Sequence, residues 1–277
     1  FEGKNILFID TKFTDSSRIK ATIENSSILP EEWREKLLTV RNAREAPLRD
    51  GKILTSWNAL MLSSFAEASA VLGKNEYLQI AIKNAEFLLE NMWRDGRLYR
   101  TFSSEGPRLK GYLEDYSFLI YGLTILYEVS FQRKWLDFAV DIAASMVELF
   151  LDPTTNVFYD TGTDHEDLIV RPRDIFDNAM PCGGSVAVFS LLRVGILTGS
   201  DQYQAIIEQN ISSVFQLMIR FPLGFGNWLS ATDFYLGSVK EIGLVGNMLD
   251  EEFQKLFRSI HEKFIPHKLT AGYDPKK

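Results

Sequence analysis

An all-α ring of helical hairpins, an (α/α)6-type toroid incomplete in this chain and followed by a small C-terminal α/β element, is the fold this sequence predicts. Three observations predict it: a repeat of paired helical segments, a contrast between the two helices of each pair, and a change of pattern after residue 236. Each repeat has an apolar stretch, a short polar break, an aromatic near the start of a second stretch, and a Gly- or Pro-bearing turn followed by aromatics. Tyr77, Trp135 and Tyr203 mark equivalent points, roughly 60 to 70 residues apart, a period that fits stacked helical hairpins.

The contrast assigns the layers. Residues 57–72, 116–130 and 184–198 are apolar or small nearly all round, as a helix packed on every side must be. Residues 76–92, 133–150 and 201–220 are amphipathic. In the first of these, Tyr77, Ile80, Ala81, Asn84, Phe87 and Leu88 recur at helical spacing, while Gln79, Lys83, Glu86 and Glu90 suit water. Buried inner helices wrapped by amphipathic outer ones account for both patterns.

Residues 31–45 read as another outer helix, with Pro30 and two acids at its start, and residues 227–236 as a short inner helix. Three pairs and these two fall short of a closed six-pair ring, so the remaining helices are expected upstream or from a partner. GKNILFI near the start reads as a strand. KEIGLVGN, DEEFQKLFRSIHEKF and HKLTAGY read as strand, helix and strand. The expected domains are therefore 1–236, the toroid with its first helices missing upstream, and 237–277, a tail packed on it. GLVGN lacks the GxGxxG spacing of a dinucleotide site and reads as a turn.

With 277 residues and 45% hydrophobic composition the chain can build a large core. Its net charge of −7 and the lack of any basic block argue against nucleic acid as a ligand. Cys182 is the sole cysteine, which excludes an internal disulfide or a CxxC site. No apolar run approaches the ~20 residues of a membrane span. The opening FEGKNILFID has no initiator Met and no signal-peptide pattern, so the expectation is a piece of a longer polypeptide with any targeting information upstream; the expected location is cytoplasmic.

Three motifs, DGKILTSWNALM (50–61), GYLEDYSFLIYGL (111–123) and RPRDIFDNAMPCGGS (171–185), resemble in order and spacing the thioredoxin-domain-containing family that includes spermatogenesis-associated protein 20. The resemblance implies an N-terminal thioredoxin-like domain upstream in the same polypeptide. It also implies a toroid similar to those of N-acylglucosamine 2-epimerases and six-hairpin glycosidases. It supplies architecture rather than a reaction. Where the family pattern is roughly PSGNS, this chain has Pro181-Cys182-Gly183-Gly184-Ser185.

Polar clusters precede each inner helix: Asp50, Lys52, Ser56 and Asn58 before the first, Glu114 and Asp115 before the second, and Arg171, Arg173, Asp174, Asp177 and Asn178 before the third. Parallel inner helices would gather these N-termini at one mouth, rimmed by Trp57, Tyr112, Tyr116 and Phe176 and biased toward anions by the helix dipoles. Trp57, Asn58, Tyr112, Tyr116, Arg171, Asp174 and Asn178 are thus the candidate substrate-binding residues, for a sugar or glycan. Glycoside hydrolysis needs two facing carboxylates, and Asp115 with Asp177 form the best pair, with Glu114 and Asp174 in reserve.

A structural reading stands beside each. Ser56 and Asp115 suit N-cap or first-turn positions, Asp177 and Asn178 suit the loop before Pro181, and Arg171 suits an ion pair. The epimerases of the resembled toroids rely on histidine, but His165, His261 and His267 all lie outside inner helices, so a carboxylate-based activity is the stronger expectation. His165 among Asp164, Glu166 and Asp167 reads as a solvated acidic loop rather than a metal site. Cys182 reads as an inert turn residue rather than a nucleophile. No cofactor or metal is expected. The competing function is a non-catalytic scaffold that presents the thioredoxin-like domain to client proteins.

Overall fold

The computed structural model describes residues 31–273, so Pro30 and the expected strand GKNILFI lie outside the described residues. The chain divides into a unit ending at Asp50 and a unit beginning at Gly51. The first contributes helix α1 (Glu31–Asn42), within the expected 31–45 span, with Arg41 in its last turn where a cation complements the helix dipole.

The second unit begins with β1 (Ile53–Leu54) and three helix pairs. The inner helices are α2 (Thr55–Leu72), α4 (Leu113–Ser130) and α6 (Gly183–Thr198), and the outer ones α3 (Asn75–Met92), α5 (Arg133–Phe150) and α7 (Gln204–Arg220). A short fourth inner helix, α8 (Gly226–Leu236), follows a single 3-10 turn at Pro222–Gly224. The repeat read from the sequence is therefore present as an alternation of inner and outer helices.

Burial follows the predicted contrast. Almost every residue of α4 is buried, polar Ser117 and Thr124 included, because α2, α5 and α6 all pack on it. The outer helix α5 buries one face only, with Trp135, Leu136, Ala139, Ile142, Met146 and Phe150 at helical spacing. Full burial of each large side chain of this kind contributes roughly 1.5–3 kcal/mol. Small residues let α2 and α4 approach closely: a Cβ on Gly122 of α4 would lie 3.0 Å from the Ala59 carbonyl of α2.

An extended excursion between α3 and α4 departs from the all-helical expectation for this span. It holds β2 (Trp93–Arg94), β3 (Arg97–Ser103) and β4 (Gly106–Lys110), and joins β1 in a four-stranded antiparallel sheet centred on β3. The turn from β2 to β3 places both Asp95 and Gly96 at positive φ, 50° and 74°, the geometry that suits tight hairpins. β3 buries only Leu98 and Thr101, three positions apart, so no two-residue alternation announces it.

The tail forms β5 (Lys240–Val245), α9 (Glu251–His261) and β6 (Lys268–Tyr273), with β5 and β6 parallel. Its anchor is α4: buried Glu128 accepts the Thr270 backbone N–H at 2.8 Å and pairs with Arg193 of α6. Among the described residues, no helix is long and apolar enough to cross a membrane.

Candidate functional site

The N-termini of the four inner helices meet in the order α2, α4, α6, α8. Asp115 ties the first two, since its Oδ1 accepts the Ser56 N–H at 3.0 Å. Gly183 brings the second and third together; a Cβ there would come within 2.9 Å of the Glu114 backbone nitrogen. Asp177 ties the third and fourth. Its Oδ1 accepts from Cys182 N at 2.9 Å and Ser185 Oγ at 2.8 Å, and its Oδ2 accepts from Asn227 N at 2.8 Å and Trp228 N at 3.1 Å.

These bonds bear on the expected catalytic pair. Asp115 is fully buried, and its second oxygen accepts from Tyr112 N at 2.9 Å and Arg100 Nη1 at 3.0 Å. Burial pushes its carboxyl up to about 6, against the opposing pull of Arg100. Both carboxylates are occupied in joining helix entries, and neither lines the cavity at the mouth.

That cavity, of about 440 Å³, lies at the entries of α4 and α6. It brings together Glu114, Asp160 and Asp174 with Arg100, and Tyr112, Phe176 and Asn178 also line it. Glu114 Oε1 accepts from Arg100 Nη1 at 2.8 Å, and the guanidinium lies 4.8 Å from the Tyr112 ring centroid. Tyr112 in turn stacks on His165, with centroids 5.1 Å apart. Arg100 is therefore held between an aromatic face and two carboxylates.

Asp160 was not among the expected residues. It sits on the long loop between α5 and α6, and the fold brings it back to the start of α4. Buried Asn210 of α7 accepts the Phe158 N–H at 3.1 Å and donates to the Asn156 carbonyl at 2.8 Å, which pins the loop. The Asp160 carbonyl then accepts the Leu113 N–H at 3.0 Å, satisfying an otherwise orphan donor of the first turn of α4. Its side chain accepts the Asp174 N–H at 2.7 Å. Burial, followed by the charges of Asp174 and Glu114, pushes the Asp160 carboxyl up to about 6, although the Asp174 N–H and Arg173 oppose the shift. A lone acid between Tyr159 and Thr161 carries no signal of this in sequence.

Several expected ligand residues are placed elsewhere. Tyr116 is fully buried, its hydroxyl accepting from Leu98 N at 2.8 Å and Arg97 Nη1 at 2.5 Å. Trp57 is 57% exposed and does not line the cavity. Asn58 donates to the Leu54 carbonyl at 2.8 Å. Arg171 lies over Tyr159 and donates to the Thr161 carbonyl, and makes no ion pair among the described residues. Cys182 caps α6 through its sulfur, which accepts from Ser185 N at 3.4 Å. Burial pushes its thiol up to about 11, which makes it a poor nucleophile.

The fold defines a class, an α/α toroid of helical hairpins, and an acid-lined cavity lies at its inner-helix entries. A GH76 α-mannanase from Bacteroides thetaiotaomicron shares the fold with a TM-score of 0.53 at 15% identity, over 84% of this chain and 65% of that one. Cellobiose 2-epimerase from Bacillus thermoamylovorans B4167 does so with a TM-score of 0.51 at 20% identity, over 60% and 45% of the two chains. The chain is homologous to human spermatogenesis-associated protein 20, being 29% identical to it over 288 residues. That match takes in 99% of this chain and 37% of the human protein, so the chain spans little more than a third of the relative's length. The resemblance read from the three motifs is thus borne out. No protein-family model matches the chain.

Proposed function

We propose that this chain is a carbohydrate-active domain whose site is the cavity at the entries of α4 and α6, with Asp160 and Glu114 as its working carboxyls. The observation that carries the reading is the raised Asp160 carboxyl beside a second carboxylate that is charge-matched to Arg100. A carboxyl of about 6 holds its proton in a useful fraction of molecules near neutral pH and can donate it to a glycosidic oxygen. Glu114 then faces the positive charge that develops on the sugar ring, or orients the attacking water. Phe176, 41% exposed, offers apolar surface to a sugar face. The sugar enzymes that share the fold are consistent with such a ligand and do not specify it.

The test is a glycan and oligosaccharide screen for binding and hydrolysis, run on wild type, Asp160→Asn and Glu114→Gln. Hydrolysis should fall at least about 100-fold in each variant, the scale of a lost general acid or base. Retained hydrolysis in both variants would overturn the reading, as would a protein that neither binds nor cleaves any member of the screen.

A further inference from the structure

A second cavity, of about 560 Å³, opens toward the other ends of the inner helices. Glu67 near the end of α2, Tyr121 and Glu128 of α4, and Arg193 of α6 line it, and the loop from α9 to β6 forms its outer wall. It shares no lining residue with the first cavity.

Its floor is fixed. Arg193 pairs with Glu128, and its Nε donates to Thr124 Oγ1 at 3.2 Å; the remaining Glu128 oxygen is taken by Thr270. Above that floor stand groups with capacity left. The Tyr121 hydroxyl and the Glu67 carboxyl make no hydrogen bond among the described residues, although burial raises the pKa of both. Lys268 donates to the Ile260 carbonyl at 3.2 Å and lies 3.3 Å from His261 Nδ1, which leaves one proton on its ammonium for a ligand. Donors and acceptors are therefore both on offer.

Charge decides what kind of ligand suits them. Three acids, Glu67, Glu128 and Glu262, line the cavity against three bases, Arg193, Lys263 and Lys268. His261 adds no charge at neutral pH, because burial and then Lys268 push its imidazole down to about 4. A balanced cavity does not recruit a net anion or cation. Phe189 provides an aromatic wall, and Phe264 stands at the rim 94% exposed, an aromatic face for a ligand to cover.

We infer that this cavity is a second binding site, for a neutral hydroxylated ring of the size of one or two hexose units. Hydroxyl groups both donate and accept, which matches Tyr121, Glu67 and Lys268 together. The apolar face of such a ring matches Phe189 and Phe264. The inference stands apart from the chemistry assigned to the first cavity.

The experiment is calorimetric titration of the whole chain with a panel of neutral hexoses and their disaccharides, and with glucose 6-phosphate as the charged counterpart. It uses wild type, Glu114→Gln, Tyr121→Phe and Glu67→Gln, with melting curves to confirm that each folds. A neutral sugar should bind wild type with a component that persists in Glu114→Gln, whatever that variant loses at the first cavity, and that weakens about tenfold in Tyr121→Phe and in Glu67→Gln. Binding lost in Glu114→Gln but kept in Tyr121→Phe would place the sugar in the first cavity and overturn the inference. Failure of every neutral sugar to bind, or a marked preference for the phosphate, would overturn it too.

Discussion

Ser56 donates its backbone N–H to Asp115 Oδ1 at 3.0 Å, although 59 positions separate the two in sequence. One fully buried carboxylate thus joins the entries of two inner helices and also holds Arg100. Asp115→Ala leaves two backbone N–H groups without their acceptor and leaves Arg100 with Glu114 as its sole carboxylate partner. The expected cost is about 3 kcal/mol, read as a lower urea midpoint. Asp115→Asn, which keeps one acceptor oxygen, should cost less.

Asp177 caps α8 from a distance and ties down the loop before α6. Asp177→Ala should lower stability by about 2 kcal/mol, a cap plus a lost loop bond. Cys182, whose backbone N–H that carboxylate holds, should react faster with a thiol-labelling reagent as the loop loosens. An unchanged labelling rate would count against this role.

Asp160 gives a pH signature with a definite sign. Its folded-state pKa of about 6 lies above its ordinary value of 3.8, so the folded protein binds the proton more tightly than the unfolded chain does. The stability this confers is fully present below the ordinary value and is lost as pH rises through about 6. Asp160→Asn should therefore raise the melting temperature at pH 7 to 8, with the gain shrinking as pH falls toward 4. Comparing variant with wild type at each pH isolates Asp160 from Asp115, which titrates in the same range.

Arg193 and Glu128 form a buried pair between α6 and α4. Arg193→Met strands a buried carboxylate and should cost about 3–5 kcal/mol. Arg193→Met combined with Glu128→Gln should cost less than Arg193→Met alone, because the amide introduced by the second substitution carries no charge and its oxygen can still accept from Thr270. Strict additivity in this double-mutant cycle would argue against a coupled pair.

The hairpin repeat was legible because burial on all sides and burial on one side leave different residue patterns in α4 and α5. The meeting of the inner-helix entries was legible as well, since polar residues collect before each of them. The division of labour within that mouth was not. Asp115 and Asp177 attract notice as acids at helix starts, which is the same property that makes them good acceptors for backbone N–H groups. Tyr116 follows Asp115 in sequence, but one step along a helix turns the side chain by about 100°, and its ring ends up inside the core. The β2–β4 excursion is not legible because burial in β3 and β4 does not alternate, and their register is set by pairing between strands.

What the sequence by itself determined is the alternation of inner and outer helices, because helical periodicity is a local property. Only the tertiary structure decided which carboxyls line the cavity. Asp160 reaches it because Asn210, from a helix 50 residues further on, folds its loop back to Leu113. Its raised pKa arises there from burial and from Asp174 and Glu114, neighbours that the chain supplies from both sides. Desolvation and charge act through space, and no local run of residues encodes them.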